Sequence, residues 1–567
     1  MVTKKTITPR VWVDKLCFND GSEIELKKDD ITVFVGPNNA GKSATLKEMA
    51  ALLKSSIENV KVLKNISIAR EGEYRDVLKF LERFTIKDLS RGDVLLKGNG
   101  YSVWENSIEP TWEENNISKG LGDISEAFVS VLSTENRLLA ANPPKSIRLT
   151  TEPATHPIHH LYKNDEIESL VSKSFREAFG TDLIVHRAAG SEIPLYVGDK
   201  PDQKKGSDRV SKEYLEELEK RDALHTQGDG MRSFVGVLLN SVVSKHSTLF
   251  IDEPEAFLHP PQARLLGKML AENASKNQQL FLATHSEDFL KGLLDADLPN
   301  LNIVRIQRNG SINNIRTLDS EDIESVWGDT LLRHSNVLAG LFHSRVVICE
   351  SDADCRFYSA LMSAQSVKES HQMDTLFIHC GGKHRMPTVV KALEKLGVPI
   401  KVAVDFDILS DVVPAKSIYE NLGGKWIDVE ADFKLVKYKI EEKKPELETE
   451  ELKKEIEQIF KTVSSKTIPL GKISEINKSL KKASAWAHAK QTGSSFIPSG
   501  EPTLAFKRLN AAFEKKGLFV VPVGELESFD RRVGNHGPKW VNEVLQKDLS
   551  ADTELGGARK FVNKLSK

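Results

Sequence analysis

The chain has 567 residues, 40% of them hydrophobic and 28% charged, with a net charge of −2. That length fits several domains, about four at roughly 150 residues each, in an ordinary globular composition. A near-neutral chain confines any nucleic-acid surface to a local basic patch, and no apolar run reaches the ~18 residues of a membrane span. Cys17, Cys349, Cys355 and Cys380 form no CxxC pair and read as reduced thiols, not as a disulfide framework or a zinc site. The opening MVTKKTITPRVWVDK has no apolar stretch of signal-peptide length, so a cytoplasmic protein is expected.

In chain order, ITVFVGPNNAGKSATL (31–46) comes first. An apolar strand runs into a G-x-x-x-x-G-K-S loop and then a helical pattern. Gly36, Asn38, Asn39 and Gly41 shape a loop whose backbone N–H groups and helix N-terminus cradle anions. Lys42 is expected to reach the outer phosphates of ATP, and the Ser43 hydroxyl to bind Mg2+. An insertion over about 60–220 follows, with amphipathic helix patterns at DVLKFLERF (76–84) and EIESLVSKSFREAF (166–179). His156, His159 and His160 lie in a loop-rich stretch without acidic or cysteine partners, which favours a solvated loop over a metal site. TQGDGMRSF (226–234) precedes an apolar helix from Phe234 to Val243. TLFIDEPE (248–255) is a strand ending in Asp252, placed to hold Mg2+ through water, with Glu253 in the position of a water-activating base. QLFLATHSEDFL (279–290) is another strand ending in His285, at the edge where α/β sheets bind ligands.

The second half repeats that logic with carboxylates. RVVICESDADCRFY (345–358) is a strand ending in Glu350, with Asp352 and Asp354 just beyond. FIHCGGKHRMPTVVKALEKLG (377–397) gives a strand, a turn with Lys383, and an amphipathic helix. KVAVDFDILSD (401–411) gives a strand carrying Asp405 and Asp407, which share one face if the strand continues through both. The alternation implies a parallel sheet with all acids at its carboxyl ends. GLFVVPVGELESF (517–529) adds Glu525 and Glu527. Glu350, Asp354, Asp405, Asp407 and Glu527 supply hard oxygens for two ions of Mg2+ or Mn2+. A site lysine is sought among Lys383, Lys539 and Lys560, with Lys560 carried in the site. The intervening insertion, about 412–510, reads as helical. Its stretch 461–490 carries seven lysines and one glutamate around Trp486 and His488, a candidate nucleic-acid contact or a solvated face.

The first half resembles the ABC-type ATPase head of RecF and SMC relatives. The resemblance implies that His285 contacts the γ-phosphate. It also implies that Gly228, Gly230 and Ser233 form the signature loop that closes a partner's site, although Asp229 and Arg232 depart from LSGGQ. No glutamine precedes Gln203, so the usual Q-loop glutamine is missing or replaced by Gln203 or Gln227. The second half resembles a TOPRIM domain, with Glu350-Ser351-Asp352-Ala353-Asp354 for E-G-x-x-D and Asp405-Phe406-Asp407 for D-x-D. The expected fold is therefore α/β: an ABC-type P-loop ATPase domain over 1–340 with a helical, dimerising insertion, then a TOPRIM domain over 341–567 with a helical insertion. The combination resembles the OLD family of ATPase–TOPRIM nucleases, which includes Gabija-type and retron-associated anti-phage effectors. It implies a homodimer or higher assembly and metal-dependent cleavage, with DNA favoured over RNA. It further implies a regulatory partner, such as a reverse transcriptase with its RNA–DNA product or another defence protein. The rival readings are a RecF/SMC-like scaffold ATPase with a non-cutting TOPRIM, and a TOPRIM ribonuclease acting on tRNA.

Overall fold

A computed structural model describes residues 8–55, 60–90, 93–98, 101–113, 120–202, 208–243, 246–273, 278–318, 327–329, 332, 336–369, 374–443, 449–465, 467–481 and 484–566. Gln203 lies outside them. The chain forms two compact units, Met1–Glu324 and Ser325–Lys567, where the sequence placed the division at 340.

In the first unit, a six-stranded sheet is built from β1 (Ile31–Val35), β2 (Val129–Leu132), β3 (Thr248–Asp252), β4 (Gln279–Ala283), β5 (Leu301–Asn309) and β6 (Ile312–Leu318), in the order β6-β5-β1-β4-β3-β2. Every pairing is parallel except the β5–β6 hairpin. Buried parallel strands need apolar side chains on both faces, and all five residues of β1 and β4 are buried. Phe250 and Phe281 stack across β3 and β4 with centroids 5.1 Å apart, inside a core that includes Phe34 and Met49. Asp252 pairs in register with Ala283, and Ala283 with Phe34. The phosphate loop, Asp252–Glu253 and His285 therefore leave the sheet at one edge.

The first insertion is not simply helical. The expected helices are present, Tyr74–Phe84 and Asp165–Phe179, but so are a nine-residue strand, Leu63–Glu71, paired antiparallel with Arg10–Phe18, and two small antiparallel sheets, one over Ile86–Trp104 and one including Asp182–Val185 and Leu195–Gly198. β2, within the same span, completes the ATPase sheet itself. Apart from Leu63–Glu71, these strands are only two to five residues long and alternate weakly, so helical periodicity dominates the pattern. The histidine cluster is a correction too. His156 caps a helix over Pro157–Lys163, and His159 is 2% exposed, its ring hydrogen-bonded to the Lys145 carbonyl and to two backbone N–H groups.

In the second unit, β7 (Arg345–Cys349), β8 (Thr375–His379), β9 (Ile400–Val404) and β10 (Leu518–Val520) form an all-parallel sheet in the order β8-β7-β9-β10. Its core gathers Phe357, Phe529, Trp540 and Phe561. Helices over Val412–Asn421, Glu430–Glu441, Thr449–Lys461, Leu470–Lys481, Ala485–Thr492 and Glu501–Lys515 make the second insertion helical, as its pattern indicates. Asp405 and Asp407 do not share a strand face. β9 ends at Val404, and a 3-10 turn over Phe406–Ser410 carries Asp407.

Candidate ATP and metal centres

The P-loop is shaped by contacts that admit no side chain. Gly36 has φ +145°, and a Cβ there would lie 2.1 Å from the Ile306 carbonyl oxygen. Gly41, at φ +110°, caps helix α1 (Lys42–Lys54). Asn313 on β6 donates to the Ala40 carbonyl at 2.6 Å, and Asn38 and Asn39 stand exposed at the tip. Lys42, 3% exposed, donates to the carbonyls of Gly36 (2.7 Å) and Pro37 (2.8 Å), so its ammonium lies within the loop's own concavity. The Ser43 hydroxyl donates to Asp252 Oδ1 at 2.8 Å. Two residues 209 positions apart thus place hard oxygens together beside an anion cradle, a donor set that suits Mg2+ with a nucleotide.

The turn after β3 holds the remaining chemistry. Glu253 has φ +49°, a strained value for a side-chain-bearing residue, and its carboxylate is 44% exposed. His285 Nε2 lies 3.4 Å from Glu253 Oε1. Burial, and then the Lys42 charge, push the His285 imidazole below its usual range, so near neutral pH it is an uncharged partner for Glu253. Two supports escape a linear reading. Arg137, fully buried, donates to the carbonyls of Asp252 (2.7 Å) and Glu253 (2.8 Å). Glu255 accepts from Thr284 Oγ1 (2.7 Å) and the His285 N–H (3.0 Å), and burial pushes its carboxyl upward. Arg137 stands in the insertion with no neighbouring motif; Glu255 stands in DEPE, where the last acid looks like a solvated turn residue.

At the signature stretch, helix α2 (Asp229–Val242) starts earlier than its apolar run. Gly228 is exposed, and Gly230 packs so closely that a Cβ would lie 2.8 Å from the Phe257 carbonyl. Ser233 is corrected: it is fully buried one turn into α2, on the core side with Val237, and offers no surface hydroxyl to another subunit. Asp229 and Arg232, the departures from LSGGQ, pair with each other at 3.0 Å.

In the second unit, Glu350 leaves β7, and helix α3 (Asp352–Glu369) follows at once. Glu350, Asp405 and Asp407 each place a carboxylate oxygen within 4.8 Å of the others. The Asp405 N–H donates to Glu350 Oε1 at 3.1 Å. Burial first, then the Asp407 carboxylate for Glu350 and the Glu350 carboxylate for Asp405, push both carboxyls upward. Asp407 Oδ1 is buried without a hydrogen-bond partner. Repelling carboxylates and an orphaned oxygen fit a hard divalent cation. Glu350, Asp405 and Asp407 would hold it, and Mg2+ or Mn2+ there would polarise a phosphodiester.

The other expected ligands sit nearby in a second arrangement. Asp354 is 9% exposed and accepts from the Ser351 N–H (2.9 Å) and hydroxyl (3.0 Å), so the serine in place of glycine ties down the acid. Glu527 groups with Glu525 and His536 instead of the first trio, and its Oε1 accepts from the Gly537 N–H at 2.6 Å. Glu350, Asp354, Asp405, Glu525 and Glu527 line one cleft of about 470 Å3. Among the described residues, the lysines paired with the trio are Lys383, 3.2 Å from Asp407 Oδ2, and Lys490, 2.8 Å from Asp405 Oδ2. Burial disfavours the Lys490 charge, but Asp405 overrides it and pushes the ammonium upward. Lys560 and Lys539 are exposed on helices over Gly556–Ser566 and Pro538–Val544. Lys490 was the last lysine of a basic run, and nothing in that run separates it from its neighbours. Trp486 donates its indole N–H to Glu441 at 3.1 Å, with Lys437 over its ring.

Comparisons with known proteins match two stretches of the chain. Residues 31–290 match the family described as "AAA domain, putative AbiEii toxin, Type IV TA system". Residues 341–407 match "Overcoming lysogenization defect protein-like, TOPRIM domain". The chain is thus an AAA-type ATPase domain joined to an OLD-like TOPRIM domain. Curated proteins similar to part of the chain are named OLD nucleases. The "Old nuclease" of Escherichia phage P2 is 24% identical over 183 residues, 31% of this chain and 30% of that protein. The "OLD nuclease" of Thermus scotoductus is 26% identical over 179 residues, 29% of this chain and 31% of that protein. The chain therefore spans under a third of the length of these relatives. Among solved structures, an SMC head bound to the C-winged helix domain of ScpA aligns with a TM-score of 0.34 and 13% identity, over 56% of this chain and 100% of its own. No helix among the described residues is long and apolar enough to cross a membrane.

Proposed function

We propose that the protein is a divalent-metal-dependent endonuclease that cuts or nicks DNA, governed by an ATPase head. The observation that carries the nuclease reading is the Glu350–Asp405–Asp407 cluster, three carboxylates gathered within 4.8 Å at the carboxyl edge of a parallel sheet. Glu350, Asp405 and Asp407 would anchor the ion, Asp354, Glu525 and Glu527 would shape the cleft around water and phosphate, and Lys383 would face developing charge. In the head, Lys42 and Ser43 would take the phosphates and Mg2+ of ATP, Glu253 would orient water, and His285 would meet the γ-phosphate.

Phosphodiester hydrolysis needs no ATP, so the head is read as a switch and not a power source. The exposed Gly228–Asp229 end of α2 supports closure against a second copy of the chain, hence a homodimer. The unpaired thiols Cys17, Cys349, Cys355 and Cys380 suit a reducing cytoplasm. The toxin–antitoxin and lysogenization wording of the matched families supports a role in anti-phage defence, with a partner protein or an RNA–DNA product restraining the nuclease. The test is purified protein with supercoiled plasmid, single-stranded DNA and tRNA, each with Mg2+ or Mn2+ and with or without ATP. Nicking of plasmid that disappears in Asp405→Asn supports the reading. Cleavage of tRNA alone makes it a ribonuclease, and no cleavage makes it a scaffold ATPase.

A further inference from the structure

Helix α4 (Ala485–Thr492) belongs to the second insertion, yet Lys490 in its last turn lines the carboxylate cleft. Its backbone is fixed there from two sides. A Cβ on Gly524 would lie 2.0 Å from the Lys490 carbonyl oxygen, and one on Gly493 would lie 2.2 Å from the Pro522 carbonyl oxygen. The Gln491 carbonyl accepts from Ser528 Oγ (2.8 Å) and Arg531 (2.7 Å), and the Ser494 N–H donates to Pro522 at 2.9 Å. Contacts this close allow the main chain little travel. The Lys490 ammonium is held 2.8 Å from Asp405 Oδ2 and 3.8 Å from Asp407 Oδ2, and its side chain is 33% exposed. These are two of the three acids that converge for a cation.

We propose that Lys490 is a positioning residue that sets the affinity of the Glu350–Asp405–Asp407 site for a divalent cation. The ammonium and the ion share Asp405, and two positive charges a few ångströms apart weaken each other's binding. Lys490 thereby lets the insertion grade the metal centre without supplying a ligand. The inference rests on the nuclease reading's metal centre.

The experiment is Mn2+ titration of the full chain, followed by the electron paramagnetic resonance of free Mn2+. Lys490→Gln is expected to bind Mn2+ about tenfold more tightly than the parent, and Lys490→Arg, which keeps the charge, to stay within about threefold. In parallel, thermal melting in chelator is expected to show a lower transition for Lys490→Gln, with the gap narrowing at saturating Mn2+. A merely structural lysine would leave the gap unchanged by Mn2+. Equal or weaker Mn2+ binding by Lys490→Gln overturns the inference while the metal centre stands. Unchanged Mn2+ binding in Asp405→Asn overturns the metal centre and this inference with it.

Discussion

The two centres handle charge in opposite ways. At the P-loop, positive character comes from backbone N–H groups, a helix end and one lysine, all within eight consecutive residues, Gly36 to Ser43. In the TOPRIM unit, negative charge is concentrated from two separate loops and is met by Lys383 from a third loop and Lys490 from helix α4. A site made by one loop tolerates change elsewhere in the chain. A site assembled from four segments depends on each of them arriving at the same cleft.

This contrast can be broken by mutation, beginning with the largest effect. Asp405→Asn should lower nuclease activity by about a hundredfold to a thousandfold while leaving phosphate release from ATP intact, measured by plasmid nicking and a phosphate assay. Loss of both activities would mean that the centres are not separable. Glu253→Gln should cut ATP hydrolysis by about a hundredfold and leave ATP binding within a few-fold, read by turnover and by equilibrium binding of a fluorescent nucleotide. Arg137→Ala should destabilise the head by about 2–3 kcal/mol, since it strips two buried carbonyls of a charged donor. Denaturant unfolding, with the head's transition moving and the TOPRIM transition unmoved, is the expected record.

The smallest effect concerns Glu255. Its carboxyl is raised by burial in the folded chain. Between the ordinary carboxylate range and that raised value the native state binds more protons than the unfolded one, so stability falls as pH rises through this window. Below the window both states are protonated and the effect vanishes. Glu255→Gln should therefore melt slightly above the parent at neutral pH, with the difference shrinking toward pH 4. A constant difference across that range would show that Glu255 does not titrate with folding.

Legibility followed the same division. GPNNAGKS carries its geometry in its spacing, and TLFIDEPE and QLFLATHS announce buried strands with polar ends, so these three stretches were legible while Arg137 and Glu255 behind them were not. The acids of the second centre were visible as types, but their grouping was not. Glu527 joins Glu525 and His536 because the chain turns after β10, and D-x-D converges through a 3-10 turn instead of a pleat. Ser233 was misplaced because an apolar run marks a buried helix without marking which turn faces outward. Lys490 could not be chosen among seven lysines, because its distinction lies in Gly524 packing against its carbonyl, a relation across 34 residues.

Arg137 also constrains a glycine one helix away. Its guanidinium grips the carbonyls of the Asp252–Glu253 turn, while its own carbonyl lies against Gly236 of α2, where a Cβ would come within 2.2 Å. One residue thus touches both the turn that faces the nucleotide and the helix that begins at the exposed Gly228. In a chain with no glutamine before position 203, Arg137 ties the Asp252–Glu253 turn to α2 through its side chain at one end and its main chain at the other. A Cβ at position 236 would therefore collide with the main chain of the residue that holds the turn, so Gly236 is required for the turn as well as for the helix.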